Sequence, residues 1–190
     1  MRLVLSPAAP GPDACRRWIS APSTSDTEGL RTGGHDVYEA RVQVRPDEDA
    51  DAAYDRVRAR IFAYDIFPPD LLRFVVCPKP RIEEGTVIVQ RVGVGPIRVE
   101  SAVRVIKVWD TDGEERTAGF EYVTLAGHPE RGNASFAVQC DRSGAVKVVL
   151  KARSEAGTIL TRLGRPVARR IQVGATHAAL ARLSGRGPTR

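Results

Sequence analysis

Two side chains in the segment Gly127-His-Pro-Glu-Arg-Gly132 have the chemistry for proton transfer. His128 titrates near neutrality, and Glu130, two residues on, offers a carboxylate that can orient it, so the pair is a candidate general acid/base. The same glycines and proline also describe a tight turn that His128 closes by hydrogen bonding to backbone. The turn reading outweighs the catalytic one, because no nucleophile or metal-ligand partner stands near the pair in the sequence. Just upstream, Phe120, Tyr122 and Thr124 alternate, which puts their side chains on one face of a strand. If that face is concave, the Tyr122 and Thr124 hydroxyls enter an otherwise apolar pocket, which is how small-ligand sites are built. Arg153 is a further candidate for selectivity there. A core tyrosine satisfied by a neighbour is an equally good reading of Tyr122.

Other reactive residues carry less. His35 and His177 are single and unsupported, and His177 follows an apolar helical stripe in a way that suits surface or rim. Cys15, Cys77 and Cys140 are odd in number, far apart and without C-x-x-C or His-pair spacing, so the sequence indicates neither a zinc site nor a disulfide. Cys140 falls on an apolar strand face, where a thiol behaves as a small hydrophobe. Gly93-x-Gly95 lacks the third glycine and the following helix of a dinucleotide loop. Asn133-Ala-Ser135 matches a glycosylation sequon, without meaning in a chain that stays inside the cell. No metal and no cofactor is expected.

The elements that must position these residues are legible as changes of period. Residues 1–34 are rich in Pro, Gly, Ser and Thr and read as an irregular lead-in, with Trp18 and Ile19 available to pin it to the body. Asp36 to Arg45 reads as a strand ended by Pro46. Asp47-Glu48-Asp49 then caps a helix marked by Tyr54, Val57 and Ile61. Pro68-Pro69 predicts a second short helix through Leu71, Leu72 and Val75. From Thr86 the period becomes two, with strands to Val92, from Ile97 to Trp109, from Arg116 to Leu125, from Ala134 to Cys140 and from Val146 to Ala152. The alternation in the long strand inverts at Ile106-Lys107-Val108, which predicts a β-bulge near residues 104–106. Leu160, Leu163, Val167, Ile171, Gly174, Ala178 and Leu183 form one stripe of a long C-terminal helix, kinked near Gly164 and Pro166.

A half-apolar antiparallel sheet needs a cover, and only the C-terminal helix is long and apolar enough to supply it. The expected fold is therefore α+β of the helix-grip type: a curved sheet of six or seven strands around that helix. The expected domain spans 35–184, followed by a disordered tail at 185–190. At 190 residues, 42% hydrophobic and 27% charged, the composition is that of one globular domain. No run of eighteen apolar residues crosses a membrane, and Met1 to Leu5 is too short for a signal peptide, so a cytoplasmic location is expected. The net charge of +6 is concentrated: residues 156–190 carry +7 from seven arginines and no acid, leaving −1 for residues 1–155. Such a stripe can meet phosphate or an acidic partner, but it is also an ordinary solvated helix face, and nucleic acid is the weaker reading.

Gly119-Phe-Glu-Tyr122-Val-Thr124-Leu125-Ala-Gly127-His128-Pro129-Glu130-Arg-Gly132, with Phe136 shortly after, resembles the central signature of a family of bacteria and plants, domain of unknown function nineteen-ninety. Ala152-Arg-Ser154, Arg162-Leu-Gly164-Arg-Pro166 and Ile171-Gln172 are similar to its C-terminal pattern, so the resemblance spans about residues 35 to 183. Val123 stands where the family usually has glycine, Asn133-Ala134 where it has a glutamate region, and Glu155 where it tends to have proline. The resemblance implies a START-like, birch-pollen-allergen-like fold and no particular activity. The leading expectation is a module that binds a small apolar or amphipathic molecule between sheet and helix. An enzyme using His128 and Glu130 comes second, and docking through the arginine face of the last helix third. The sequence leaves the oligomeric state open.

Overall fold

The computed structural model describes residues 2–4, 8–24, 36–78, 80–94, 97–156 and 165–185, with backbone only at 94, 97, 154–156 and 165–172. His35, the segment 157–164 and the end of the tail at 186–190 lie outside the described residues. Among the described residues eight strands form one antiparallel sheet: β1 (Arg2–Val4), β2 (Asp36–Arg41), β3 (Leu72–Cys77), β4 (Val87–Val94), β5 (Ile97–Thr111), β6 (Arg116–Thr124), β7 (Glu130–Cys140) and β8 (Val146–Ala156). The order across the sheet is β2-β8-β7-β6-β5-β4-β3, with β1 pairing to β5. Among the described residues three helices accompany it: α1 (Pro12–Trp18), α2 (Ala50–Phe62) and α3 (Arg165–Ser184). This is the helix-grip arrangement, with β3 to β8 joined as a meander. The expected bulge is present, as the β5–β6 register shifts between Val105 and Lys107.

Cross-strand partners share a face, so the register sorts the sheet into two surfaces. Phe120, Phe136, Leu150 and Tyr38 form one row across β6, β7, β8 and β2, and Ala118, Val138, Val148 and Ala40 form the next. These rows belong to the main core with Tyr54, Val57 and Ile61 of α2 and Ala179, Leu180 and Leu183 of α3. Helix α2 starts where expected, with the Asp49 side chain accepting a hydrogen bond from the Ala52 amide. The opposite face carries a smaller core of Ala14, Trp18, Cys77, Val87, Val89, Ala102 and Leu125.

Four expectations are corrected. The lead-in contains β1 and α1, and Trp18 is buried while Ile19 is exposed. Leu72 to Cys77 is a strand rather than a helix, because Phe74, Val75 and Val76 pair with Gln90, Val89 and Ile88 of β4. Prolines 68 and 69 form the turn before it, with the Pro68 carbonyl accepting from the Leu71 and Leu72 amides. Strand β2 stops at Arg41, since the Gln43 amide donates to the Ser184 carbonyl at the end of α3. Finally, Cys15 and Cys77 form a disulfide across 62 positions of sequence, tying α1 to β3. Cys140 is buried and free, as its strand position implied. The described helix α3 begins at Arg165, which puts Pro166 in its first turn, where no amide donor is needed.

One glycine is required by close approach. A Cβ on Gly119 would lie 2.2 Å from the Phe136 carbonyl oxygen and 2.9 Å from both Ala137 Cα and the Trp109 ring. Two of those neighbours are backbone, so relief means parting β6 from β7. We expect Gly119→Ala to lower stability by about 3 kcal/mol. Urea unfolding measures this, and a loss below about 1 kcal/mol would show that the strands separate easily.

Candidate functional site

Phe120 and Tyr122 project from β6 onto the concave face, beside Phe136 of β7. Their ring centroids lie 5.6 Å (Phe120–Phe136), 5.7 Å (Tyr122–Phe136) and 6.4 Å (Phe120–Tyr122) apart. Phe67 meets Phe136 edge-on at 5.9 Å, and Tyr64 meets Phe74 at 5.0 Å and Phe120 at 6.1 Å. Phe120 and Phe136 are buried, whereas Tyr122, Ala134, Tyr38, Phe67 and Phe74 pack on the core yet keep part of their surface accessible. The reason lies in the next row of the register. Tyr122 pairs with Ala134, and Ala134 with Ala152, so the tyrosine has two small neighbours along the sheet.

Three polar groups meet inside this aromatic patch. Gln90 of β4 lies in the concave phase between Ile88 and Val92, and its Nε2 donates to Tyr64 Oη at 2.5 Å. The Tyr122 phenol lies close enough to Tyr64 and Gln90 for each to bear on its titration. Burial pushes Tyr122 up to about 12, helped by the charge of Glu130 and opposed by the bonds from Tyr64 and Gln90. Burial and the Tyr122 hydroxyl likewise hold Tyr64 well above the ordinary phenol range. Both are neutral phenols at physiological pH. Tyr64 sits just after α2 with φ of 55°, a left-handed conformation that is uncommon for a bulky residue and costs on the order of 1–3 kcal/mol. That turn is held from outside, where Asp65 accepts from Arg60 at 2.9 Å and from Arg182 of α3 at 2.5 Å.

The other expected site residues go elsewhere. Thr124 is buried, but its hydroxyl accepts from the Gly132 amide at 3.1 Å and meets the Thr24 hydroxyl, so it fastens the loop and the lead-in. Arg153 pairs with Asn133, and Asn133 with Val123, which places it on the face opposite Tyr122. His128 is engaged through Nδ1, which lies 2.9 Å from the Glu130 carbonyl oxygen and 3.1 Å from the Glu130 amide. Burial drives its pKa down to about 4, against a raising contribution from the Glu130 backbone. The imidazole is therefore neutral at pH 7. The Glu130 side chain shares the parity of Ala134 and Phe136 and so belongs to the concave face, where its charge acts on Tyr122 rather than orienting His128. His177 is exposed and touches Tyr38 edge-on at 6.0 Å. Among the described residues no group of His, Cys, Asp and Glu could hold a metal ion, and no helix is long and apolar enough to cross a membrane.

The low pKa of His128 has a consequence for stability. The folded value of about 4 lies below the unfolded value of about 6.5, so protons bind the unfolded chain first. The contribution is complete above about pH 6.5 and falls away as pH drops toward 4, by roughly 2–3 kcal/mol. Comparing unfolding midpoints at pH 7 and pH 5 for the wild type and His128→Asn checks this. Equal pH dependence in both proteins would show that His128 is not the group responsible.

Sequence reasoning missed Tyr64, Gln90, Phe67 and Phe74. Gln90 left a signal in Val87-Ile-Val-Gln-Arg-Val92 as the polar residue between Ile88 and Val92, in the apolar phase. Tyr64 and Phe67 lie in a turn, where periodicity says nothing about direction.

Among solved structures, a hypothetical protein, jhp0584, from Helicobacter pylori is similar with a TM-score of 0.55 and 8% identity, over 86% of this chain and 95% of that one. The major latex-like protein 151 of Panax ginseng is similar with a TM-score of 0.47 and 12% identity, over 78% and 96%. Ara h 8.0201 follows with a TM-score of 0.45 and 11% identity, over 79% and 97%. No curated protein matches the sequence significantly. The model of a family described as Domain of unknown function (DUF1990) matches residues 21–182. The match takes in every strand from β2 to β8 and most of α3, and the chain belongs to that family.

Proposed function

We propose that the chain binds a small, largely apolar molecule on the concave face of the sheet, in the recess beside Tyr122. The observation that carries this reading is the composition of that face: packed aromatic rings, a partly accessible tyrosine flanked by Ala134 and Ala152, and three hydrogen-bonding groups at its floor. Apolar walls with a few placed polar groups are what small-ligand sites require. Catalysis by His128 has less behind it, because its Nδ1 is taken up by the Glu130 backbone and the Glu130 side chain falls on the other side of the strand. Docking through the arginines of α3 has one described representative, Arg182, and that side chain is bonded to Asp65.

The test is native mass spectrometry of the purified protein, followed by the neutral fluorophore aminoanthracene. A bound molecule lost on denaturation, or saturable fluorophore binding, is the expected result. Ala134→Phe fills the recess and should weaken fluorophore binding at least about tenfold with little change in Tm. An empty protein that also fails to bind the fluorophore would end the proposal.

A further inference from the structure

We infer that the Cys15–Cys77 pair is a directional thiol-exchange site: a low-molecular-weight thiol adds to Cys15, and Cys77 is the buried partner that leaves and later displaces it. The site lies on the convex face and is independent of the ligand reading above.

Access decides which sulfur of a disulfide is attacked. Cys15 lies on α1 and keeps part of its surface accessible, whereas Cys77 has none. Cys77 is packed in the convex core with Trp18, Val87, Val89, Ala102 and Leu125, which closes it to a thiolate in solution. In the forward step the incoming thiolate sulfur bonds to Cys15 Sγ and the Cys15–Cys77 bond breaks. Its electron pair leaves on Cys77 Sγ, which takes a proton from water. The Val75 carbonyl oxygen lies 4.0 Å from that sulfur, at the reach of a weak S–H donor. The products are a mixed disulfide on Cys15 and a thiol at Cys77.

The anchors of α1 make the step reversible. Upstream of Cys15, Arg91 donates to the Ala8 and Ala9 carbonyls. Downstream, Glu100 accepts from Arg17 and Trp18, and Arg104 donates to the Ile19 and Ala21 carbonyls. Held on both sides, Cys15 stays beside Cys77, whose Cα is 5.7 Å from its own. A thiol placed so close competes at a high effective concentration with any thiol in solution. When free thiol is scarce, the Cys77 sulfur bonds to Cys15 Sγ and the small thiolate leaves, restoring the disulfide.

The test treats native protein with glutathione and glutathione disulfide, quenches with acid and maps the adducts by peptide mass spectrometry. Wild type held in an excess of both should carry its adduct on Cys15. With glutathione disulfide alone, the reduced wild type should return to the Cys15–Cys77 bond, whereas Cys77→Ser should keep a stable adduct on Cys15. That adduct should form at least about tenfold faster than one on Cys77 of Cys15→Ser. An adduct on Cys77 of the native wild type, or equal rates in the two variants, overturns the direction. Exchange at neither cysteine of the native wild type overturns the site. Mapping of the wild type decides both points even if a serine variant does not fold. In urea the two cysteines should react alike, and a difference that persists there overturns the role of burial.

Discussion

Replacing Glu100 with alanine should lower the stability of the chain by about 3–5 kcal/mol, the largest effect we expect of any single substitution. The Glu100 side chain has no exposed surface, lying between β5 and α1 on the convex face. Arg91 donates to its Oε2 from Nε at 3.0 Å and from Nη2 at 2.8 Å. Its Oε1 accepts from Arg17 at 3.0 Å and from the Trp18 indole at 3.3 Å. Burial by itself would raise its pKa, yet the hydrogen bonds from Arg91 and Trp18 hold it below the ordinary carboxylate value. Truncation leaves Arg91, itself largely buried, without its charge partner, and removes the anchor of α1. Glu100→Gln preserves the shape and the Trp18 bond and should cost about half as much. Because the folded pKa is lowered, this contribution is full above the unfolded carboxyl value and is lost as pH falls through the folded one. Urea midpoints for both variants measure the effect. A loss for Glu100→Ala under about 1 kcal/mol would mean that the cluster is incidental to the fold.

Reduction of the Cys15–Cys77 disulfide is the second large effect, with an expected loss of about 2–4 kcal/mol. The bond closes a loop across 62 positions, so cutting it returns considerable freedom to the unfolded chain. The rest of the attachment persists. Arg91 donates to the Ala8 and Ala9 carbonyls, Arg104 donates to those of Ile19 and Ala21, and Trp18 stays packed over Val87, Val89 and Ala102. The reduced chain should therefore fold, with α1 the first element to open. Denatured oxidised protein should give one reactive thiol, from Cys140, and reduced protein three. Unfolding with and without a dithiol reductant, beside Cys15→Ser as a chain that should not respond, tests the magnitude. Three reactive thiols in protein prepared without reductant would show that the pair is reduced where the chain is made.

Most of the sheet was readable from the sequence, and so was its bulge. Alternation is a local steric property, since successive side chains on a strand must point to opposite faces, and one extra residue must invert the phase. The same rule already separated Arg153 from the aromatic face. Val146, Val148, Leu150 and Ala152 hold the apolar phase, so Arg153 falls on the other side, and its choice as a ligand contact went against the pattern. The Leu72–Cys77 strand was misread because its apolar positions fit three- and four-residue spacing as well as two. Only its register against β4 resolves the period.

What the sequence determined by itself was set within a few residues: the strands of the meander from β4 to β8, their turns, an acidic cap in Asp47-Glu48-Asp49, and the placement of Phe120 and Tyr122 on one face. What the tertiary structure decided was which distant residues share a volume. Tyr64 from a turn, Gln90 from β4 and Tyr122 from β6 join into one polar cluster, and Cys15 finds Cys77. Glu100 gathers donors from α1 and β4 in the same way. No local pattern encodes such meetings. They depend on how the sheet's register and the packing of the helices bring back together segments separated by tens of residues.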